Sequence, residues 1–340
     1  MCPHSSCAFP DFYRYIGRAS RAHADRRTFS SSVSALPVRT CRRCLILVTG
    51  KAAITPILDE QLLAYAERCK GKVVLITGNI YDLSYVSTSL TPPISAIVVI
   101  GDVDVASAEA VVSEVQRARG QAAFKPCDVL SCDDQVALFD FAIERYGSVD
   151  IVIPNAGVSE IGRFSLPTLS AGPNPRQLKP NLKTLDINLT SVLYTVNLAQ
   201  HYLNVNRIPG SGIASMASWA ALSGGPLYSV AKHGLLGLMR SFAPVYAKES
   251  MRISSIHPWF ADTNVLSTPL KVTLAGIPLT PVGRIAGECA IVYTATDPNP
   301  STNGCPWLLP DDGPLVLLEQ ERLREGVHQL LNDRWMRVVR

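Results

Sequence analysis

Two residues one helical turn apart have the types and spacing for acid–base chemistry. Tyr228 and Lys232 are four positions apart in a run with helical apolar spacing, from Leu227 to Arg240. Both side chains therefore leave the same face of the helix. A phenol is a weak acid at neutral pH, but a neighbouring ammonium group favours the phenolate and lowers its pKa. The pair predicts a tyrosine that exchanges a proton with a substrate oxygen.

Ser215 is a candidate for binding the same oxygen. It lies thirteen residues before Tyr228, at the end of a predicted strand. Its hydroxyl could hydrogen-bond to a carbonyl or alcohol oxygen that the tyrosine protonates or deprotonates. A tyrosine and a lysine at this spacing are common and usually have no catalytic meaning. The prediction therefore depends on the serine and on the elements around it.

Alternating strands and helices must position these residues. We predict strands at 71–78, 96–102, 122–129, 147–157, 211–215, 252–257 and 304–309. We predict helices at 58–68, 105–119, 132–146, 184–203, 228–248 and 283–296. This alternation predicts an α/β fold: a single Rossmann domain with a doubly wound parallel sheet. Ligands bind at the carboxyl edge of such sheets, so we expect the connections 158–183 and 264–282 to line the substrate pocket.

The N-terminal segment differs from the rest of the chain in composition. Residues 1–46 hold eight arginines against Asp11 and Asp25, a net charge of +6; the whole chain carries +4, which leaves −2 for the remainder. An Arg-rich, Ser-rich and acid-poor segment is typical of a mitochondrial presequence. The alternative is a disordered leader or a misplaced start of the coding sequence. We predict a disordered extension over 1–54, the Rossmann domain over 55–325 and a tail over 326–340.

Composition excludes several classes of partner. A remainder of −2 gives no basic surface for nucleic acid, and no apolar run approaches the ~20 residues of a membrane span. The nine cysteines include one close pair, Cys41 and Cys44, without the second pair or the histidines that zinc requires. We therefore expect no nucleic acid, membrane or metal, and a reduced protein in the cytoplasm, with the mitochondrial matrix as the alternative.

The motifs above, taken together, resemble the short-chain dehydrogenase/reductase family over residues 70–320. The resemblance implies that Tyr228 is the general acid/base and that Lys232 lowers its pKa and holds the nicotinamide ribose. It also implies that Ser215 positions the substrate oxygen. Asn188 matches the asparagine that kinks its helix and holds a water for proton relay from the lysine.

The same resemblance implies a set of cofactor contacts. Asn155, in Asn155-Ala-Gly157, is similar to the residue that supports the central sheet and touches the adenine-side ribose. Asp128 and Val129 resemble the pair that contacts the adenine ring. Ala261 and Thr263 lie in a stretch similar to the one that holds the nicotinamide amide, although Trp259 replaces its usual glycine. Several segments also resemble fungal enzymes related to hydroxyprostaglandin dehydrogenases (216–219, 258–260 and 304–307).

Asp102 favours NAD over NADP. It ends the second predicted strand, 24 residues after Gly78. A carboxylate there can bond the ribose hydroxyls of the adenosine and would repel a 2′-phosphate. NAD is therefore the predicted cofactor and NADP the alternative. The alternative for the residue itself is a strand-terminal acid that binds no ligand.

The phosphate-binding loop departs from the pattern of the family. That pattern is Thr-Gly-x-x-x-Gly-x-Gly, and here Asp82 and Ser84 replace its second and third glycines, whereas Gly78 retains the first. The glycines let a pyrophosphate approach backbone N–H groups at a helix N-terminus. A carboxylate at Asp82 would favour the same positive helix end. Either residues 79–91 come from a mistranslated exon boundary, or the loop has lost its function.

The sequence therefore predicts an oxidoreductase that interconverts a secondary alcohol and a ketone with a nicotinamide cofactor. The alternative is a cofactor-deficient pseudo-enzyme that acts as a binding or scaffolding protein. The resemblance further implies a homodimer or homotetramer, paired through the helices that carry Asn188 and Tyr228. Apolar and aromatic residues predicted near the pocket indicate a small-molecule substrate that is not highly charged (Phe164, Trp219, Leu222, Trp259 and Phe260).

Overall fold

The computed structural model describes a subset of the chain, all of it within one compact unit, Ala52–Arg340. The predicted extension over 1–54, the tail over 326–340 and the segment 79–91 lie outside the described residues. The described residues are 55–57, 61, 66–78, 96–161, 180–206, 212–216, 225–261, 263, 266, 271–272, 274–276, 279–280, 290–309 and 315–318.

Nine strands of the described residues form one sheet, in the order β1-β9-β8-β7-β6-β5-β2-β3-β4. The strands are β1 Thr55–Ile57, β2 Val73–Thr77, β3 Ile97–Asp102, β4 Gln121–Pro126, β5 Ile151–Pro154, β6 Gly212–Met216, β7 Arg252–Pro258, β8 Pro306–Leu309 and β9 Leu315–Leu317. Strands β2 to β8 pair in parallel, with β2 between β3 and β5. The strand order therefore reverses at β2 and β5, where a doubly wound sheet binds its ligand. The predicted fold class is confirmed.

The sheet differs from the predicted one at one edge. Strand β9 pairs antiparallel with both β8 and β1, so this edge is not parallel. Each of the two extra strands has three residues, which is too short for a hydrophobic pattern to stand out in a sequence. The predicted seven-strand parallel sheet was therefore incomplete.

Helices connect the strands on both faces. They are α1 Val105–Arg117, α2 Cys132–Tyr146, α3 Lys183–Leu185, α4 Ser191–Asn206, α5 Pro226–Lys248 and α6 Ala290–Thr296. A π-helical turn, Asp186–Thr190, joins α3 to α4. Short 3₁₀ turns lie at Ala66–Cys69 and Pro300–Thr302. The predicted helix 58–68 is described only at Gln61 and at the first of these turns.

Helix α2 illustrates how local chemistry sets the boundaries. The Ser131 hydroxyl accepts a hydrogen bond from the backbone N–H of Asp134 and so caps the first turn. The helix ends at Gly147, whose φ of 82° lies in the left-handed region that glycine adopts without strain. These signals are visible in the sequence, and the predicted bounds of this helix were correct.

Alternate residues of the central strands enter two separate cores. Val74 and Ile76 of β2 face a cluster that includes α1 and α6. Val73 and Leu75 face a second cluster that includes α2, α4 and α5. Successive strand side chains point to opposite faces, so a strand covered on both faces has no solvent-facing position. This is why Val73–Ile76 of β2 are all apolar.

Candidate active site

The turn after β2 packs directly against the loop after β5. Gly78 has a φ of 67°, and a Cβ at this position would overlap the backbone of Ala156. The Asn155 amide donates a hydrogen bond to the carbonyl oxygen of Gly78, at 3.1 Å. Only glycine fits this close approach. The predicted cofactor residues Gly78 and Asn155 therefore lie together at the reversal point of the sheet.

Asn188 lies in the π-helical turn and is fully buried. Its Oδ1 accepts a hydrogen bond from the N–H of Val158 at 2.8 Å, and its Nδ2 donates one to the Val158 carbonyl at 2.7 Å. A π-turn interrupts the regular helical ladder and is frequent at functional sites. The structure thus has an irregular helix at the predicted position, with Asn188 holding the loop after β5.

Tyr228 and Lys232 project from the first two turns of α5. The Lys232 Nζ lies 5.6 Å from the centroid of the Tyr228 ring. A Cβ at Gly157 would lie 3.8 Å from this Nζ and 3.4 Å from the Asn188 Oδ1. The lysine and the asparagine therefore border the same small space in front of Gly157. Three of the four predicted catalytic residues converge here.

Burial, not the lysine charge, controls the pKa of Tyr228 in this structure. The half-buried side chain has a raised pKa because burial penalises the phenolate. Burial also lowers the pKa of Lys232 from 10.5 to about 8. A lysine so shifted loses part of its positive charge near that pH. The expectation that Lys232 lowers the tyrosine pKa is therefore not met by the chain alone.

Asp102 is buried at the end of β3, beside an exposed apolar residue. Its Oδ1 accepts a hydrogen bond from the backbone N–H of Asp104 at 2.9 Å. Burial raises the pKa of this carboxyl, and that hydrogen bond opposes the rise. Val103 follows with 69% of its surface exposed. Neither of the two residues that follow Asp102 is a cation.

Asp128 and Val129 lie beyond the end of β4 instead of inside the predicted strand. The Asp128 Oδ1 accepts a hydrogen bond from the N–H of Leu130, so this oxygen is committed to a local turn. The buried Gln135 amide donates to the carbonyls of Val129 at 2.7 Å and of Ser191 at 3.1 Å. Gln135, which the sequence analysis did not select, therefore ties this turn to helix α4.

The segment after β7 contains the two residues predicted to hold the nicotinamide amide. The N–H of Thr263 donates to the carbonyl of Ala261 at 2.8 Å. Ala261 also forms a bridge with Thr280. Trp259 is exposed over 44% of its surface, and its ring meets Phe260 edge-on at 4.9 Å between centroids. Tryptophan is thus accommodated at a position where the resembled family has glycine.

Ser215 lies in β6, in register with Ser255 of β7, but its side chain is outside the described residues. Five other residues singled out from the sequence lie wholly outside the described residues (Asp82, Ser84, Phe164, Trp219 and Leu222). Among the residues that the structure describes, no cluster of His, Cys, Asp or Glu side chains could hold a metal ion. None of the described helices combines the length and apolar character that crossing a membrane requires.

Glu160 is a second residue that the sequence analysis missed. One of its carboxylate oxygens, Oε2, accepts a hydrogen bond from the backbone N–H of Tyr228 at 2.8 Å. The other, Oε1, is buried and has no hydrogen-bond partner among the residues that the structure describes. No sequence signal could identify this contact, because 68 positions separate the two residues.

A sequence profile described as short chain dehydrogenase matches residues 72–270, more than half of the chain. The chain belongs to the short-chain dehydrogenase/reductase family. The match covers all the residues that converge at the carboxyl edge of the sheet. The family resemblance predicted from the motifs is thereby confirmed.

Relatives with named activities match over most of the domain. The chain is 32% identical to the short-chain dehydrogenase/reductase ascJ of Acremonium egyptiacum, over 64% of this chain and 73% of the relative. It is 27% identical to cyclohexanol dehydrogenase of an Acinetobacter species, over 65% and 84%. It is 26% identical to the bovine (Bos taurus) NAD(+) 15-hydroxyprostaglandin dehydrogenase, over 60% and 73%. The protein is therefore an oxidoreductase of the nicotinamide-dependent short-chain dehydrogenase/reductase family.

A solved structure shares the fold. A short-chain type dehydrogenase/reductase from Mycobacterium marinum superimposes with a TM-score of 0.61, over 74% of this chain and 98% of that one, at 20% identity. Identity this low supports the fold alone.

Proposed function

We propose that this short-chain dehydrogenase/reductase interconverts a secondary alcohol and a ketone, with NAD as cofactor and Tyr228 as general acid/base. The observation that carries the proposal is the convergence of Tyr228, Lys232 and Asn188. Lys232 Nζ and Asn188 Oδ1 both border the space in front of Gly157, and the tyrosine ring lies next to the lysine. In this arrangement Tyr228 is the proton donor, and Lys232 and Asn188 form the relay that returns a proton to it.

The described residues fit a dinucleotide at both of its ends. At the adenosine end, Asp102 offers a carboxylate for ribose hydroxyls, and the exposed Val103 offers an apolar surface for the adenine. At the nicotinamide end, Lys232 is positioned to bond ribose hydroxyls, and Ala261 and Thr263 offer backbone and hydroxyl groups for the amide. The acid at the end of β3, with no cation beside it, favours NAD over NADP. When bound, the cofactor accepts or supplies the hydride.

The protein's own residues handle the proton and the orientation of the substrate. In alcohol oxidation the substrate hydroxyl gives its proton to the Tyr228 oxygen, and in ketone reduction the same oxygen returns it. Ser215 donates a hydrogen bond to the substrate oxygen and orients it. Only the charged form of Lys232 can favour the ionised phenol electrostatically, and it acts against the burial that raises the pKa of Tyr228. Asn188 holds the relay through which protons reach solvent.

We infer that the substrate is a cyclic secondary alcohol or the corresponding ketone. The cyclohexanol dehydrogenase relative acts, by its name, on an alcohol of this class. The edge-to-face pair of Trp259 and Phe260 presents aromatic surface close to the predicted amide-binding residues. Such a surface suits an apolar ring better than a charged chain. We also propose that the protein works in the cytoplasm; the mitochondrial matrix remains the alternative.

A second candidate function rests on one observation in the sequence. Asp82 and Ser84 replace two glycines that the resembled family uses to admit the pyrophosphate. If cofactor does not bind, the remaining site belongs to a pseudo-enzyme that binds or scaffolds another molecule. Cofactor binding therefore separates the two candidates.

The test is the formation of NADH from NAD and cyclohexanol by the purified protein and by its D82G/S84G variant. We expect turnover in at least the variant. In that background Tyr228→Phe should reduce the rate by roughly 10²–10⁴-fold, because only the reacting hydroxyl is lost. Tyr194→Phe, which removes a hydroxyl from the surface of α4, should leave the rate unchanged. A Tyr228→Phe enzyme that keeps more than about a tenth of the rate would contradict the assignment of the general acid.

A further inference from the structure

The helix that carries the catalytic tyrosine lacks an N-terminal cap of its own. Its N-cap residue, Gly225, has no side chain, and no side-chain hydrogen bond caps the helix from that position. Pro226 follows at the first helical position and has no N–H to donate. The backbone N–H groups of the first turn must therefore find acceptors elsewhere. One of these N–H groups belongs to Tyr228.

Glu160 provides that acceptor from a different part of the chain. Its Oε2 lies 2.8 Å from the Tyr228 nitrogen, across 68 positions of sequence. A carboxylate at a helix N-terminus also interacts favourably with the helix dipole. A serine at position 225 could cap the helix locally. Here the start of the helix is instead bonded to the loop that follows β5.

That loop is bonded to several other parts of the candidate site. The Asn155 amide bonds to Gly78 in the turn after β2. Val158 exchanges two hydrogen bonds with the Asn188 side chain. The N–H of Ile161 donates to the hydroxyl of Thr184 in α3, at 2.8 Å. The loop therefore has a fixed position relative to the cofactor turn and to the relay asparagine.

We propose that Glu160 is a positioning residue for Tyr228, an inference that rests on the proposed function. Through this hydrogen bond, the loop that Asn155 and Asn188 hold also fixes the first turn of α5. The distance between the tyrosine oxygen and the reacting substrate atoms is thereby set. Misplacement of a reacting group by about 1 Å can cost 10²-fold in rate, so a single hydrogen bond at this point matters for chemistry.

The buried Oε1 of Glu160 distinguishes the two oxygens of the carboxylate. Within the described part of the chain Oε1 has no hydrogen-bond partner, and the hydrogen bond from Tyr228 is made to the other oxygen, Oε2. A buried oxygen without a partner is costly and calls for an explanation. Glutamine has the same shape and retains one acceptor oxygen, whereas alanine retains none. The two substitutions therefore separate the hydrogen bond from the size of the side chain.

The test compares Glu160→Ala, Glu160→Gln and a control, Asn299→Ala. Asn299 caps the distant 3₁₀ turn Pro300–Thr302 by accepting a hydrogen bond from Ser301 N–H, so the control removes the same type of bond away from the site. Two kinds of measurement are made: amide hydrogen exchange across residues 227–232, and steady-state kinetics (kcat and KM) with NAD and cyclohexanol. The kinetics use whichever of the unmodified and D82G/S84G proteins is more active.

We expect Glu160→Ala to accelerate exchange of the Tyr228 amide by about tenfold or more, because its acceptor is lost. The kcat should fall by about tenfold or more, with the KM for NAD changed less than about threefold, because binding is spared and positioning is not. Glu160→Gln should keep kcat within about threefold of the parent enzyme, since it retains the acceptor. Asn299→Ala should leave the exchange of the Tyr228 amide and the kinetic constants unchanged.

Three results would overturn the inference. The first is unchanged exchange at Tyr228 in Glu160→Ala, whatever the activity. The second is faster exchange without a loss of kcat beyond that of Asn299→Ala. The third is a Glu160→Gln enzyme as slow as Glu160→Ala. Failure of the proposed function has a different signature, because neither parent protein then turns over. The proposed effect of Glu160 on catalysis is rejected in that case. The exchange data still report whether Glu160 holds the start of the helix.

Discussion

At the scale of single residues, Lys232, the proposed catalytic lysine, destabilises the fold when it is charged. Lys232 is only 7% exposed, and burial lowers its pKa from 10.5 to about 8. The folded chain thus prefers the neutral amine more strongly than the unfolded chain does. A shift of this size corresponds to a cost of about 3 kcal/mol whenever the lysine is charged in both states.

We expect Lys232→Met to raise stability at pH 7 while abolishing turnover. The unfolded chain binds more protons than the folded chain between pH 8 and 10.5, so the stability of the parent protein should rise over that interval. The advantage of the methionine variant should be fully present below pH 8 and should disappear as the pH approaches 10.5. Denaturant unfolding at several pH values measures the stability difference between the two proteins and its dependence on pH.

The pH dependence separates the charge from the contacts of the lysine side chain. Lost contacts would change stability by the same amount at every pH, whereas the charge acts only below the pKa of the unfolded residue. Lys183→Met is a suitable control, because this exposed lysine lies in α3. A constant difference between Lys232→Met and the parent protein across pH 7 to 10.5 would contradict the buried-charge argument.

At the scale of the elements, the connection after β2 decides whether the site works. The described turn ends at Gly78, whose packing against Ala156 leaves no room for a side chain. Asp82 and Ser84 follow in the sequence at the positions of the two missing glycines. The rest of the proposed cofactor site therefore has the required residue types, whereas its phosphate loop does not.

We predict that the unmodified chain binds NAD weakly or not at all, and that D82G/S84G restores binding. Two like charges about 4 Å apart at a partly exposed site cost a few kcal/mol, and every ~1.4 kcal/mol changes the affinity about tenfold. A carboxylate facing the pyrophosphate would thus move a micromolar Kd towards millimolar. Titration calorimetry with NAD measures the change. Removal of a distant surface charge by Glu249→Gln should not alter the Kd.

Tight binding of NAD by the unmodified protein would refute the electrostatic argument for this loop. It would mean that the backbone donors reach the pyrophosphate by another route. The single variant D82G measures the charge alone, because Ser84 is retained. We expect it to recover part of the affinity, with the remainder recovered when glycine at 84 allows the closer backbone approach.

At the scale of the whole molecule, only part of the apolar surface of helices α4 and α5 is free for the predicted pairing with a second copy. Helices α4 and α5 carry apolar residues that are buried in the core of their own chain, including Val192, Val196, Leu235 and Leu236. Leu193, in contrast, is 40% exposed. Gly234 of α5 packs against Leu189 in the π-turn, so α5 approaches the start of α4 closely. Exposed apolar residues remain on both helices (Leu193, Tyr194, Val230 and Val245).

We expect a homodimer or homotetramer that pairs through these exposed positions. Apolar surface left on neighbouring helices favours burial against a second copy. Light scattering at micromolar concentration should give at least twice the 36.8 kDa of the chain. Leu193→Asp should reduce the mass, whereas Val272→Asp, at an exposed apolar residue outside these helices, should not. A monomeric parent protein would refute the prediction.

The sequence alone determined the parts of the fold that depend on short-range patterns. The continuous apolar runs of β2, β3 and β5 predicted buried parallel strands, because a strand covered on both faces has no solvent-facing position. The caps of α2 set its boundaries through local hydrogen bonds. The four-residue spacing of Tyr228 and Lys232 placed them on one helix face. Family motifs supplied the proposed roles of Asn155 and Asn188.

Tertiary structure decided what depends on contacts between distant segments. The strands β1 and β9 exist through pairing at the sheet edge, which three-residue patterns do not encode. The pKa of Lys232 and Tyr228 depends on burial among residues from several elements, and a lysine that is itself buried does not offset the desolvation of its neighbour. Glu160 reaches Tyr228, and Gln135 reaches Ser191, only because the folded chain brings their segments together.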